Sequence, residues 1–184
     1  MEQNLVKGIA ERLRRRDSEA IEYLVSVLHG PVYRYLIDCG SNVPQAEELA
    51  AETFFQVLRT IEGFRGDDNQ VRAFVFSTAR NVRTRCYRQT SRIEFGSDVA
   101  RNVIDAEELP LQRLLAKERN EQVADAVARL SEVAREIVFL RFVEDLSINE
   151  IASICDLPAG TVKSHLHRAK QELKQTIAEL EYPQ

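Results

Sequence analysis

The stretch LSINEIASICDLPAGTVKSHLHRAKQEL, residues 146–173, contains two amphipathic helical patterns on either side of a short turn. Ser147 and Glu150 have the spacing of a capping box, in which each side chain accepts a hydrogen bond from an unpaired backbone amide at a helix start. The letters DLP then break the apolar period and predict the turn. This order of elements predicts a helix-turn-helix. Its two apolar stripes are Ile148, Ile151, Ala152 and Cys155 in the first helix and Val162, Leu166, Ala169 and Leu173 in the second.

The second of these helices has a basic outer face. Its apolar stripe clusters within about 60° of arc, with Ser164 and His167 on the opposite side and Lys163 and Arg168 beside them. An α-helix fits the major groove of DNA, where short polar groups reach base edges and cations reach phosphates. The pattern predicts DNA contact, but the spacing alone leaves open an ordinary surface helix with a solvated charged face.

The chain has 184 residues, and its 44% hydrophobic content is enough for the cores of one large domain or two small ones. No apolar run approaches the roughly 20 residues that span a bilayer. The opening MEQNLVKGIAERLRRR lacks the hydrophobic segment of a signal peptide. We therefore expect a cytoplasmic protein that does not insert into a membrane.

The three cysteines, Cys39, Cys86 and Cys155, are widely scattered, which favours reduced thiols over a disulfide framework. A zinc site needs three or four converging ligands, whereas His165 and His167 point to different faces of a helix. The sequence also shows no paired carboxylates in a catalytic frame and no phosphate-binding loop. We expect no metal, no cofactor and no catalytic residue, so an enzyme acting on nucleic acid is disfavoured.

The net charge of −4 conceals a strong segregation of charge. Residues 72–92 contain six arginines and no acid, whereas residues 93–112 contain five acids and one arginine. The first segment predicts a helix with one face that alternates cations and aromatic rings, a combination that binds single-stranded nucleic acid. The alternative is a solvated arginine face whose aromatics complete the core. We call this set the arginine face: Arg72, Phe76, Arg80, Arg83 and Tyr87.

Residues 93–112 contain a glycine and a proline and show no convincing helical period, so they predict an acidic, extended linker between two domains. After it, one helix is marked by Leu114, Leu115, Val123, Val127 and Leu130. Ser131 caps another, which carries Val133, Ile137, Val138 and Leu140. Together with the helix-turn-helix, these form a four-helix C-terminal unit.

The N-terminal part predicts further helices. Residues 5–16 indicate a short basic helix, and Asp17 offers a cap for a longer one that ends near Gly40. We expect Gly30 and Pro31 to bend or interrupt that longer helix.

The next helix, residues 46–61, begins after Pro44 and carries an apolar side and a charged side. On the charged side, Phe55 projects among Glu48 and Glu52. An exposed aromatic ring surrounded by charged side chains is either an anchor for a partner protein or a surface side chain without a partner. The sequence favours neither interpretation over the other. The expected buried side consists of Ala46, Leu49, Ala50, Phe54, Val57 and Ile61.

These residues resemble those of the sigma-70 family of RNA polymerase sigma factors, in the small two-domain extracytoplasmic-function group. The N-terminal resemblance lies in AEELAAETFFQVLRTIEGFRG followed by RAFVFSTARNV. The C-terminal one lies in REIVFLRFVEDLSINEIASICDLPAGTVKSHLHRAKQEL, where LSINEIA and PAGTVKSHLHRA are the most specific parts. The resemblance covers nearly the whole chain.

The resemblance implies an all-α fold of two small helical domains joined by the acidic linker. Residues 1–92 would form a sigma-2-like domain, residues 93–112 the linker, and residues 113–184 a sigma-4-like domain with the helix-turn-helix. The implied function is that of a bacterial alternative sigma factor, which binds core RNA polymerase and directs promoter recognition, DNA opening and transcription initiation. The implied partners are core RNA polymerase, promoter DNA and an anti-sigma factor.

The resemblance also assigns site residues. Glu48, Glu52 and Phe55 would dock on the clamp coiled coil of the largest polymerase subunit. Thr161, Lys163, Ser164, His167 and Arg168 would contact the −35 element. The −10 element would be recognised and opened by Asp67, Asp68, Asn69, Gln70, Arg72, Phe76, Arg80, Asn81, Arg83 and Tyr87, the first four as a pocket for a flipped base.

Four residues depart from the family pattern. Phe74 stands where tryptophan is frequent, Arg85 where an acid is frequent, His165 where arginine is usual and Asp156 where the turn commonly has glycine. Aspartate tolerates left-handed backbone geometry, so we expect the turn to survive. The rival function is an autonomous helix-turn-helix transcriptional regulator, which would leave the surface around Phe55 and the arginine face unexplained.

Overall fold

The computed structural model describes residues 7–90, 126–127 and 129–181, and all regular structure in these ranges is helical. A single turn of 3₁₀ helix, Ile61–Gly63, follows the third helix. The predicted all-α fold with two helical domains is confirmed, while the predicted linker lies outside the described residues. Of the helix expected between Leu114 and Leu130, residues 126–127 and 129 are described and are helical, and the part up to residue 125 lies outside the described residues. The helices are α1 (Ile9–Arg14), α2 (Ser18–Asp38), α3 (Val43–Thr60), α4 (Gln70–Thr90), α5 (Glu132–Phe142), α6 (Ile148–Cys155) and α7 (Ala159–Glu181).

Side chains cap most of the helix starts that the sequence predicts. The Asp17 carboxylate accepts a hydrogen bond from the Ala20 amide at 2.9 Å, and the Ser131 hydroxyl accepts one from the Ala134 amide at 3.3 Å. The start of α3 has a capping box that the sequence analysis missed, formed by Asn42 and Gln45. These side chains satisfy amides that have no partner within the helix.

Of the two outcomes expected at Gly30 and Pro31, a bend or an interruption, the interruption is wrong, because α2 continues through both residues. Proline removes one backbone hydrogen bond, but Leu28 and Val32 on either side of it are fully buried. Their burial holds the helix together across the lost bond. The helix ends as predicted, with Gly40 at a φ of 98°.

The core of the N-terminal half lies between α2, α3 and α4, which pack on one another. A long-range contact fixes α1 to this bundle: the Asp68 carboxylate accepts hydrogen bonds from the Gly8 amide at 2.6 Å and the Ala10 amide at 2.9 Å. Asp68 therefore caps α1 from a distant part of the chain. The expected buried side of α3 is confirmed at Ala46, Leu49, Ala50, Phe54, Val57 and Ile61.

In the C-terminal half, α7 packs against both α5 and α6. Val162 and Ala169 are buried on its inner side, and Leu166 and Leu173 are partly buried beside them. The predicted second stripe of the helix-turn-helix is confirmed. Within the described ranges, no helix combines the length and the apolar character that crossing a membrane requires.

The two halves share a continuous hydrophobic core, since α2 packs against α5 and α4 packs against α6. The rings of Tyr35 and Phe139 lie 5.8 Å apart across this contact. Ile137, Leu140 and Ile151 are fully buried. Burial raises the pKa of Cys39 and of Cys155 to about 12, so both thiols stay protonated near neutrality.

We predict that Asp68→Ala lowers the free energy of unfolding by about 1 kcal/mol near neutral pH, because it removes a cap that accepts two backbone amides. The hydrogen bond from the Ala10 amide, and to a smaller extent that from the Gly8 amide, lowers the pKa of Asp68 below its ordinary 3.8. The stabilisation is therefore present above that value and is lost as the pH falls through the lowered pKa. Urea denaturation followed by circular dichroism, near neutrality and in acid, measures both effects.

The neighbouring substitution Asn69→Ala is the control, because it truncates an exposed side chain of the same loop. It should change the stability little. Equal stability of the Asp68→Ala and Asn69→Ala chains near neutrality would show that the carboxylate does not hold α1 in place.

Candidate promoter and polymerase interfaces

The turn between α6 and α7 has the geometry that a helix-turn-helix needs. Asp156 ends α6 in the left-handed region, with φ 54° and ψ 47°, as expected for an aspartate in place of glycine. The amides of Thr161 and Val162 both donate to the Pro158 carbonyl, at 2.8 and 3.1 Å, and so begin α7. At the start of α6, Ser147 and Glu150 form the predicted capping box. Caps at the first helix and the turn thus fix the orientation of α7.

The basic residues of α7 face solvent. Lys163, Ser164, His167 and Arg168 are all exposed, and Thr161 is half-buried at the start of the helix. The Ser164 hydroxyl donates to the Gly160 carbonyl at 3.0 Å, so in this arrangement it bonds within its own helix. The residues predicted for the −35 element therefore share an accessible part of one helix. His165 is half-buried.

The predicted polymerase-binding residues lie on the outer side of α3. Glu48 is exposed, Glu52 is half-buried and Phe55 is 59% exposed. The Glu52 carboxylate accepts a hydrogen bond from Gln56 Nε2 at 2.6 Å and lies 3.6 Å from Arg85 Nη2. Arg85, which stands where the family frequently has an acid, therefore offsets one of the negative charges beside Phe55.

The loop before α4 uses two of its four predicted pocket residues to hold the fold. Asp67 Oδ1 accepts from the amides of Asn69 and Gln70, at 3.0 and 3.1 Å, and caps α4. The Asp68 carboxylate is bound by the start of α1, and the resulting hydrogen bonds lower its pKa. Asn69 and Gln70 are exposed. Periodicity could not reveal the role of Asp68, because its partners are far away in the sequence.

Part of the arginine face is covered by the C-terminal half. Arg72 forms an ion pair with Glu144, and Arg80 Nε lies 3.2 Å from Glu136 Oε1. Glu136 and Glu144 are only 2% and 4% exposed, so both carboxylates are buried in the contact between the two halves. A buried carboxylate needs cationic or hydrogen-bonding partners, and α4 supplies them here.

Arg83 is buried at the centre of this contact. Its Nη1 donates to the Cys39 carbonyl at 2.8 Å and to Glu132 Oε1 at 3.0 Å, while its Nη2 lies 3.7 Å from Glu136 Oε2. The Tyr35 hydroxyl donates to Glu136 Oε1 at 2.5 Å. Burial alone would lower the pKa of the Arg83 guanidinium, but the ionisable groups around it, among them Cys39, Tyr35 and Glu136, raise it. Arg83 therefore remains charged.

The remaining predicted −10 residues divide between core and surface. Phe76 is fully buried, with its ring edge-on to Tyr35 at 5.5 Å, and Tyr87 is half-buried. Asn81 is exposed and lines an open groove of about 620 Å³ between α4 and α6, together with Arg85 and Arg88. Phe76 thus completes the core, as the alternative interpretation expected, whereas Arg72 and Arg83 are covered by the C-terminal half and not by water.

Sequence reasoning missed Glu136, Glu144 and Tyr35 as members of this site. A signal existed for Glu136, since it precedes Phe139 and Leu140 by three and four residues and so lies on the buried side of α5. An acidic residue on the buried side of a helix indicates a polar or cationic partner nearby. The helical periodicity of the sequence does not identify that partner.

Two family descriptions match the chain: Sigma-70 region 2 at residues 21–93 and Sigma-70, region 4 at residues 120–173. Together they cover more than half of the chain. The chain belongs to the sigma-70 family. The match to region 2 begins within α2 and includes α3 and α4, and the match to region 4 includes α5 and α6 and extends into α7.

Relatives place the chain in the extracytoplasmic-function (ECF) group of this family. It is 21% identical to the ECF RNA polymerase sigma factor SigW of Bacillus subtilis, over 96% of this chain and 98% of that protein. It is 28% identical to the ECF RNA polymerase sigma-E factor of Haemophilus influenzae, over 97% and 98%. Its fold is similar to that of the Bartonella quintana sigma factor RpoE, crystallised with the anti-sigma factor NepR, with a TM-score of 0.66, 22% identity and coverage of 89% and 98%.

In family terms, the buried ion pairs connect region 2 with region 4. Arg72, Arg80 and Arg83 belong to region 2, whereas Glu136 and Glu144 belong to region 4. The contact therefore joins the two parts of the chain for which the sequence predicts separate promoter elements.

Proposed function

We propose that this chain is an alternative sigma factor that binds core RNA polymerase, recognises a promoter, helps to open the DNA and thereby directs transcription initiation. The observation that carries the proposal is the exposed basic face of α7, presented by a capped helix-turn-helix in a chain that also contains region 2. Residues 1–92 form the sigma-2-like domain, residues 93–112 the linker and residues 113–184 the sigma-4-like domain.

The upstream contact is made by α7 in the major groove. Lys163, Ser164, His167 and Arg168 reach bases and phosphates of the −35 element, and Thr161 lies near them at the helix start. The helix diameter and the exposure of these side chains support this role. Arg168 and Lys163 also supply positive charge, which favours any DNA and makes binding dependent on salt.

The downstream contact is made by α4 and the loop before it. Arg72, Arg80 and Arg83 neutralise phosphates of the separated strand, and Asn81 lies beside them. Extruding a base costs a few kcal/mol, and polar contacts from the loop of residues 67–70 offset that cost. Asn69 and Gln70 are exposed and meet the base, while Asp67 and Asp68 hold α4 and α1 beside it. Phe76 and Tyr87 stack on bases of the separated strand. Because Phe76 is buried beneath this face, its ring must become accessible before it can stack.

Polymerase binding is assigned to the outer side of α3. Phe55 inserts as an apolar anchor into the clamp coiled coil of the largest subunit, and Glu48 and Glu52 flank it with negative charge. The large exposed ring within a charged frame supports this role, since interface anchors are enriched in aromatic residues at the centre of a polar rim.

Core polymerase supplies the chemistry, and this chain supplies the recognition of the promoter and the strand separation, without a catalytic residue or a cofactor of its own. Its place of action is the cytoplasm, where polymerase and DNA meet. An anti-sigma factor is a further partner by family likeness. The autonomous regulator is disfavoured, because a regulator that acts without polymerase has no use for region 2.

Reconstituted transcription tests the proposal. Core polymerase is incubated with and without the full chain on sheared genomic DNA of the source organism, and the 5′ ends of the RNA are sequenced. We expect start sites that appear only with the chain and that share two sequence elements upstream. An autonomous regulator would bind DNA without creating such start sites, and that result would contradict the proposal.

We predict that Arg168→Ala weakens holoenzyme binding to these promoters by about 1–3 kcal/mol, because it removes a contact to a base. Fluorescence anisotropy at one fixed salt concentration measures the affinity. The control is Arg15→Ala, which removes one positive charge from an exposed site in the N-terminal half. Equal losses in the two variants would mean that Arg168 contributes only general charge.

We predict that Phe55→Ala weakens binding of the chain to core polymerase by about 2 kcal/mol, the loss typical of an interface anchor. Thr60→Ala is the control, since Thr60 is exposed near the end of α3 in a different direction. Titration of fluorescent core polymerase with each variant gives the dissociation constants. Unchanged affinity for Phe55→Ala would remove Phe55 from the polymerase interface.

A further inference from the structure

The part of α4 that the proposed function assigns to the separated DNA strand is already occupied by carboxylates of region 4. Arg72 pairs with Glu144, and Arg80 and Arg83 both pair with Glu136. The three cations assigned to DNA phosphates thus each have an anionic partner within the same chain. Carboxylates of region 4 therefore lie where the proposed function places DNA phosphates.

We propose that region 4 masks the strand-binding face of region 2, with Glu136 and Glu144 in the places of DNA phosphates, so that the free chain is closed and opens before it engages a promoter. This inference rests on the proposed function, since it concerns the regulation of the same face. It assigns the occupant of that face to a segment of the chain itself and requires no second protein.

The closed contact leaves hydrogen-bonding capacity of the arginines unused. Among the residues that the structure describes, the Nε atoms of Arg72, Arg80 and Arg83 are buried without a hydrogen-bond acceptor. Arg80 Nε faces Glu136 as an ion pair without the geometry of a hydrogen bond, and Glu136 is shared by two guanidinium groups. Buried donors without acceptors cost free energy, which a row of phosphate oxygens would recover. The arginines are therefore better suited to exchange partners than to hold these two permanently.

Apolar contacts stabilise the packing of region 4 on region 2, and the ion pairs fix its orientation. Tyr35 packs against Phe139 at 5.8 Å and donates its hydroxyl hydrogen to Glu136. Ile137 and Leu140 of region 4 are fully buried in the same core. Opening must expose this apolar surface, so the free energy that drives it comes from new contacts with polymerase and promoter.

Closure affects the two promoter contacts differently. In the closed chain, Lys163, His167 and Arg168 of α7 remain exposed, whereas Arg83 of α4 is buried. The mask therefore covers the strand-binding face of region 2 and leaves the reading helix of region 4 accessible. Closure therefore blocks the proposed single-strand contact and leaves the proposed major-groove contact accessible.

The test uses the full chain with Glu136→Gln and Glu144→Gln combined, which remove both charges and almost preserve the side-chain shape. Small-angle scattering measures the radius of gyration, and anisotropy measures affinity for a fluorescein-labelled random-sequence single-stranded DNA at fixed salt. We expect an expanded chain and about tenfold tighter binding, the change that follows if about one molecule in ten of the native chain is open. The matched control, Glu19→Gln with Asp145→Asn, removes two charges from exposed sites and should leave the chain compact.

A second variant guards against loss of folding. Arg72→Gln breaks the pair with Glu144 from the region 2 side, so it should also expand the chain, but without tighter DNA binding, because Arg72 itself contacts the strand. Circular dichroism checks the helical content of every variant. If the double glutamine chain loses helix, the expansion of the Arg72→Gln chain supports the proposal and an unchanged size overturns it.

Two results overturn the mask directly: a folded double variant as compact as the native chain, or an expanded one that binds DNA no better than its control. Failure of the proposed function shows elsewhere, in the transcription assay with the native chain. Expansion together with tighter DNA binding supports the mask, even where the native chain starts no transcription.

Discussion

The carboxylate of Glu136 lies buried where the two halves of the chain meet, among Tyr35, Arg80 and Arg83. Burying a carboxylate without partners costs several kcal/mol. Region 4 can therefore pack on region 2 only in an orientation that places the Glu136 carboxylate among these three groups. Apolar contact alone would allow many orientations. The charged cluster selects one, and the burial of Phe139 and its neighbours then makes that orientation compact.

The sequence predicted features that depend on residues a few positions apart. The capping box at Ser147, the left-handed turn at Asp156 and the buried side of α3 all follow from local spacing and backbone preference, and the structure has each of them. The exposure of Lys163 and Arg168 belongs to the same class, since a helix with a buried stripe must turn its other side outward. Their contact with promoter DNA stays a prediction.

The features that the sequence could not predict depend on distant partners. Pro31 lies inside a continuous helix because buried leucine and valine residues hold both sides of it, and Asp68 holds α1 through amides far away in the chain. The arginine face shows the limit most clearly. Its period identifies which side chains share a face, but whether water, DNA or protein covers Arg83 depends on how the two halves pack.

The segregated charges of this chain create a physical problem that the closed arrangement solves. A permanently exposed row of arginines attracts every nucleic acid in the cell through the release of counterions, whatever the sequence. Covering Arg72, Arg80 and Arg83 with glutamates of the same chain removes that attraction and leaves the net charge at −4. Opening then requires free energy from contacts that only polymerase and a matching promoter provide together. The same ion pairs that orient the halves would thus restrict strand binding to the complex in which strand separation is useful.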